Sequence, residues 1–185
     1  MRRTIIERPN VSAEALTDLK SWLGISRPNE DDLLMGLILA SLEMCEAFIG
    51  QAPMSQLVEE RLPTEAGRFA VEARPVNSFV AADTVNENGV SSALEADCFE
   101  FEVQVSGEAH FSLNKSVEGQ AISLKVWCGI APDWDAIPAG IKQGLIRLAA
   151  YHYRDRDRLG GAGKDVAPPS SVTALWRPWR SYRLK

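Results

Sequence analysis

The sequence predicts an α+β protein. Its parts are a mainly α-helical core of three long helices, an inserted small antiparallel β subdomain, and an extended C-terminal arm. Three observations predict it. Apolar residues recur at helical spacing over about 13–23, 30–49 and 138–155. Between 51 and 130 the pattern becomes short alternating runs separated by turn residues. Beyond 159, Gly- and Pro-rich stretches lead into a basic, aromatic end. With 185 residues, 45% hydrophobic and 24% charged, the chain can bury a core without disulfide or metal staples. The expected division is 1–50 as an N-terminal helical part, 51–137 as the β subdomain, 138–158 as the helix completing the core, and 159–185 as loop and arm.

The first helix opens at Ser12, a good N-cap, with Glu14 in its first turn. Ala15, Leu16, Leu19, Trp22 and Leu23 form its stripe, and Gly24 suits the residue after its end. Asn29, followed by Glu30, Asp31 and Asp32, starts the second helix by setting carboxylates against the positive end of its dipole. Leu33, Leu34, Leu37, Ile38, Leu42, Cys45, Phe48 and Ile49 make its broad apolar stripe. Met35 and Leu39 point elsewhere, and a helix apolar on nearly all sides in its first half is either buried centrally or shared between subunits, the second being favoured in a chain this small.

Strands are expected at 56–62, 69–73, 79–85, 99–105, 109–113 and 121–128. Alternation is clearest in Phe99-Glu-Phe-Glu-Val-Gln-Val105 and Ile122-Ser-Leu-Lys-Val-Trp127. Pro138 fits the first turn of the third helix, where its missing N–H has no helical partner. Ile141, Leu145, Leu148, Ala149 and His152 form that helix's stripe, and Gly140-x-x-x-Gly144 permits a close helix approach, a weak signal outside a membrane.

Several function classes are disfavoured. The longest apolar run, Leu33 to Ala40, is far shorter than a membrane span, so no membrane partner is expected. The basic Met1-Arg2-Arg3 start has no apolar signal region behind it, and Cys45, Cys98 and Cys128 are odd in number and lack a C-x-x-C, so a reducing cytoplasm is expected. Two histidines, His110 and His152, leave a zinc site short of ligands. Asp31-Asp32 and Glu59-Glu60 are paired only in sequence, and Gly160-Gly-Ala-Gly163 follows a helix and lacks the ending of a phosphate loop. No catalytic residues, metal or cofactor are expected, and the chain reads as a non-enzyme.

Charge is divided along the chain. Residues 1–139 carry 10 Lys and Arg against 22 Asp and Glu, whereas 140–185 carry 10 against 3. A basic end of this kind meets the chain's own acidic body, an acidic face of a neighbouring copy, or a phosphate backbone. Two basic features stand out within it. Arg154, Arg156 and Arg158 alternate with aspartates just past the third helix's apolar stripe. Trp176, Trp179 and Tyr182 recur every third residue, each followed by an arginine, Arg177, Arg180 and Arg183. Aromatics and arginines are the usual interface anchors. Docking on the chain's own body, docking on another chain and stacking on nucleic acid all remain open. If 176–185 is a separable arm, its deletion leaves the fold intact.

The order of these parts resembles the head–tail connector (adaptor) proteins of long-tailed phages and gene transfer agents. The resemblance is carried by Leu16-x-x-Leu19-Lys20-x-Trp22-Leu23-Gly24-Ile25, by Glu30-Asp31-Asp32-Leu33-Leu34, and by Glu46-Ala-Phe-Ile-Gly50. It continues in Arg74-Pro-Val-Asn-Ser-Phe-Val80, Val126-Trp-Cys-Gly-Ile130, Ile137-Pro138, Leu148-Ala-Ala-Tyr-His-Tyr-Arg154 and Pro178-Trp-Arg180. It covers nearly the whole chain and matches least over 81–118. The resemblance implies a ring, usually twelve-fold, beneath the portal at the capsid vertex. That ring extends the DNA channel and links the head to a stopper or tail-completion protein.

On this reading DNA passes without sequence-specific binding, and the protein is made in the bacterial cytoplasm and ends in the neck of a virion or phage-like particle. The portal-binding arm is then Trp176, Arg177, Trp179, Arg180, Tyr182 and Arg183, and the subunit interface Met35, Leu39, Arg154, Arg156 and Arg158. The alternative is a nucleic-acid-binding module using the basic C-terminal region, with an affinity that falls steeply with salt.

Overall fold

The computed structural model describes residues 2–155 and 167–181. The chain forms two compact units, one from Met1–Pro9 and Ser55–Ile130, the other from Asn10–Met54 and Ala131–Lys185.

The first unit is all β. Its larger sheet has five antiparallel strands in the order β1-β2-β8-β4-β5: β1 (Arg2–Glu7), β2 (Gln56–Leu62), β8 (Ala121–Cys128), β4 (Val76–Val85) and β5 (Ser91–Ala93). A smaller sheet has the order β3-β7-β6, from β3 (Gly67–Ala70), β7 (Ala109–Leu113) and β6 (Phe99–Val103). The register Val58↔Val126, Glu60↔Leu124 and Leu62↔Ile122 sets one row of side chains inward. Val58, Ile122, Leu124 and Val126 are fully buried there.

Glu60 belongs to that inward row. It is fully buried, and its carboxylate accepts the backbone N–H groups of Glu72 at 2.8 Å and Ala73 at 2.5 Å. Glu59 points to the opposite face and accepts the Ser123 hydroxyl at 2.6 Å. Strand alternation therefore separates the two acids that are adjacent in sequence.

The second unit is helical: α1 (Ala13–Leu23), α2 (Asp31–Ile49), α3 (Ala139–Asp155) and α4 (Ser170–Trp176), the last followed by a 3₁₀ turn, Arg177–Trp179. Its core is built from Ala15, Leu19, Leu34, Ile38, Cys45, Ile49, Ile141, Leu145 and Leu148, all essentially inaccessible. Trp134 is also buried, and its indole N–H donates to Asp18 at 2.9 Å. The carboxylates at the start of α2 do more than complement its dipole. Asp31 accepts from Lys20 of α1 at 2.7 Å, and Glu30 accepts the Tyr153 hydroxyl of α3 at 2.5 Å. They tie three helices together at one end.

The expected fold class needs correction. The described residues hold four helices and eight strands in two antiparallel sheets, 34% helix and 29% strand, and not a core of three long helices. The N-terminus supplies β1, which pairs Thr4 with Glu59 and gives β2 a second neighbour. No sequence pattern marks that strand, because Arg2-Arg-Thr-Ile-Ile-Glu7 lacks alternation. The β part is thus a unit with its own core. The C-terminal segment is not extended as far as it is described: Val172 and Trp176 bury themselves, and that burial makes it helical.

Candidate functional site

The C-terminal segment is the strongest candidate for partner binding in the sequence, and its setting follows from two glycines. At Gly144 of α3 a Cβ would lie 2.2 Å from the Trp176 indole nitrogen. Only a residue without a side chain lets that indole reach the backbone of α3. There its N–H donates to the Ile141 carbonyl at 3.2 Å. One turn earlier, at Gly140, a Cβ would meet the Leu175 carbonyl at 3.5 Å and the Trp179 indole nitrogen at 3.6 Å. The Gly140-x-x-x-Gly144 face is therefore the seat of α4. The Phe48 ring of α2 packs 6.1 Å from the Trp176 ring, and Trp176 is fully buried. Burying about 200 Å² of indole at about 25 cal/mol per Å² is worth roughly 5 kcal/mol.

The segment is also tied to the end of α2. Helix C-termini leave carbonyls without helical partners. Ser181 N–H donates to the Ile49 carbonyl at 2.8 Å, and Gln51 Nε2 donates to the Trp179 carbonyl at 2.8 Å. The Arg180 guanidinium lies 5.4 Å from the Phe48 ring centroid.

The residues expected to form one binding arm therefore separate. Trp176 is a core residue and no surface anchor. Trp179 is half-buried, while Arg177 and Arg180 are exposed. Tyr182 and Arg183 lie outside the described residues, as do Arg156 and Arg158. Met35 and Leu39 are half-buried on α2, and Arg154 is exposed at the end of α3.

Arg154 borders an open groove of about 410 Å³ lined by Trp22, Arg147, Tyr151, Pro169 and Val172. Trp22, expected on an apolar stripe, is 45% exposed there, with the Arg147 guanidinium 5.7 Å from its ring. Neither sequence periodicity nor charge pattern marks that pairing, because it joins α1 to α3.

The histidines stand in different settings. His110 lies on β7, its Nδ1 buried without a hydrogen-bond partner among the described residues. His152 lies on α3, its ring 5.7 Å from that of Tyr151. All three cysteines are free and buried. Burial pushes the Cys45 thiol far above its ordinary pKa, so it is inert. Among the described residues, Glu95, Asp97 and Cys98 are the metal-ligand types that come together. The Cys98 thiol donates to Asp97 at 3.3 Å, and Lys115 lies 3.9 Å from Asp97. Burial, then the Asp97 carboxylate, push the pKa of that thiol up.

No protein-family profile matches the chain, and no curated protein matches it in sequence. Solved structures do match in fold. A chain in the neck of an empty gene transfer agent particle, computed with C6 symmetry, superposes with a TM-score of 0.79 at 20% identity, covering 100% of this chain and 98% of that one. The chain has the fold of a gene transfer agent neck protein. A chain from the neck of the native particle, computed with C12 symmetry, matches over the same lengths with a TM-score of 0.75 at 20% identity. So does a chain from the virion of the native gene transfer agent particle, again with a TM-score of 0.75 at 20% identity. The likeness spans both the β and the helical unit, including 81–118, where the sequence resemblance is least.

Proposed function

We propose that this protein is a structural component of the neck of a gene transfer agent or phage-like particle, where its copies form a closed ring. The observation that carries the reading is end-to-end likeness in fold to chains of neck assemblies computed with cyclic symmetry. A heterologous interface repeated around an axis closes into such a ring. The division of charge between an acidic body and a basic end supports head-to-tail contact between copies or with an adjoining ring.

The finer reading is a head–tail adaptor beneath the portal, which extends the DNA channel and receives a stopper or tail-completion protein. The surface offered to the portal is the exposed Arg177 and Arg180 with the half-buried Trp179 of the C-terminal segment; Tyr182 and Arg183 of the expected arm lie outside the described residues. The copy-to-copy surface is Met35 and Leu39 of α2, with Arg154 at the end of α3 and Arg156 and Arg158 after it. The role is architectural, with no reaction assigned.

The test is quantitative mass spectrometry of purified tailed particles from the source organism. The expected result is this chain at a ratio to the portal protein near one to one. Its absence from intact particles would sink the reading.

A further inference from the structure

The turn between β4 and β5 is a preorganised tip. Asn86 N–H donates to the Val90 carbonyl at 3.1 Å, and Gly89 N–H donates to the Asn86 carbonyl at 3.0 Å. The Asn86 side-chain oxygen accepts the N–H groups of Asn88 at 3.0 Å and Val90 at 2.9 Å. Gly89 holds φ at 77°, the left-handed conformation that this turn uses, and a Cβ there would meet nothing within 4 Å. Every residue from Asn86 to Val90 is exposed, Val90 to 58%. Glu87 stands on this tip, and Glu118 lines the same shallow concavity beside it. Both are exposed, and neither forms an ion pair among the described residues.

In the helical unit, the groove bordered by Trp22, Arg147, Tyr151 and Arg154 has the opposite chemistry. The Trp22 ring is exposed there without a protein cover beyond Arg147. The Arg147 guanidinium has no acceptor among the described residues, and its Nε is buried without one. A guanidinium set over a ring keeps its terminal N–H groups for a carboxylate. Arg154 is exposed at the groove's edge and likewise forms no ion pair among the described residues. Asp155 also borders the groove and has a partner of its own.

We propose that this groove receives the Asn86–Val90 tip of a second copy. Val90 then covers the exposed Trp22 ring, Glu87 meets the terminal N–H groups of Arg147, and Glu118 faces Arg154. Charge complementarity commits the groove to this occupant: two carboxylates without ion pairs on one side, two such guanidinium groups on the other. Each side also leaves a large apolar side chain uncovered at its centre. The tip is already held in shape by its own hydrogen bonds, so docking it costs little ordering. Groove and tip are different surfaces of one chain, so the contact is heterologous and can repeat around an axis. The proposal rests on the ring reading for its second copy and deepens it by naming the two surfaces that meet.

The test mixes two full-length chains, Glu87→Cys and Arg154→Cys, with a short bis-maleimide cross-linker. The native thiols are buried and give little background. Native mass spectrometry reports assembly, and denaturing gels report the link. The expected result is an oligomer, with a cross-linked dimer from the mixture and from neither chain alone. Glu65→Cys, an exposed acid on the loop between β2 and β3, should link about tenfold less in place of Glu87→Cys. Adding Trp22→Ala to the Arg154→Cys chain should cut the 87–154 link about tenfold.

Charge reversal reads the same contact without a cross-linker. Glu87→Arg in the native chain should weaken assembly about tenfold, and Arg154→Glu in the same chain should recover it. Glu65→Arg makes the same charge change elsewhere and should leave assembly as it was. All three side chains are exposed, so the fold is kept. An oligomer that lacks the link, or that ignores charge reversal at Glu87, overturns the docking and leaves the ring standing. A chain that stays monomeric overturns both.

Discussion

The indole of Trp176 occupies the space that a side chain on Gly144 would fill, and its N–H reaches the Ile141 carbonyl behind it. This contact makes the C-terminal segment part of the helical unit. Gly144→Ala should expel the indole and lower stability by about 2–4 kcal/mol, and Trp176→Ala should cost roughly 3–5 kcal/mol. The double variant should lose much less than the sum, because both changes remove one contact. Urea denaturation of all three chains measures this, and full additivity would contradict it.

A separable arm would let 176–185 be deleted without harm to the fold. With Trp176 in the core, that deletion should instead unfold the helical unit, whereas deletion of 182–185 should leave its stability within about 0.5 kcal/mol of the intact chain. Circular dichroism melts of both truncations decide it.

Glu60 should give stability a pH dependence of unusual sign for a carboxylate. Burial raises its pKa and outweighs the two backbone N–H groups that lower it. With the folded value above the unfolded one, its contribution is full at pH below the unfolded value. That contribution is lost as pH rises through the folded value. Glu60→Gln sets an amide N–H₂ against a backbone N–H and should cost about 1–3 kcal/mol. The stability gap between native chain and variant should narrow from acid toward neutral pH. A gap that widens over that range would refute the assignment.

Trp22 and Arg147 should be coupled by about 0.5–1 kcal/mol across a double-mutant cycle with alanine. The guanidinium lies over the ring at a partly exposed site where α1 meets α3. A coupling indistinguishable from zero would make the contact incidental.

On the rim of the C-terminal segment, Arg177→Glu should leave the melting temperature nearly unchanged, because the side chain is exposed. It should nevertheless reduce co-purification with the portal protein. Normal attachment would remove Arg177 from the proposed partner surface.

Local pattern alone is enough to find most elements. The spacing of Leu34, Ile38, Leu42, Cys45 and Ile49 and the capping Gly50 mark α2 from end to end. Short apolar runs between turn residues mark 56–62, 109–113 and 121–128 with the bounds observed for β2, β7 and β8. These signals are legible because helix and strand impose their periods on neighbouring residues. Gly140-x-x-x-Gly144 is also visible, as a place for close approach.

What approaches that glycine pair is not visible, since Trp176 lies 32 positions away from Gly144 and nothing local links them. The even spacing of Trp176, Trp179 and Tyr182 suggests a uniform exposed row. In the fold Trp176 is sealed against α3 while Trp179 is half-covered. Most of the elements, their order and the division of charge are properties of residues close in the chain, so they can be read without a fold. That Arg2–Glu7 completes a sheet, that Glu60 points inward, and which aromatics remain at the surface emerge only in the folded chain. Those outcomes depend on which distant segments find each other, and burial is set by that packing rather than by residue type.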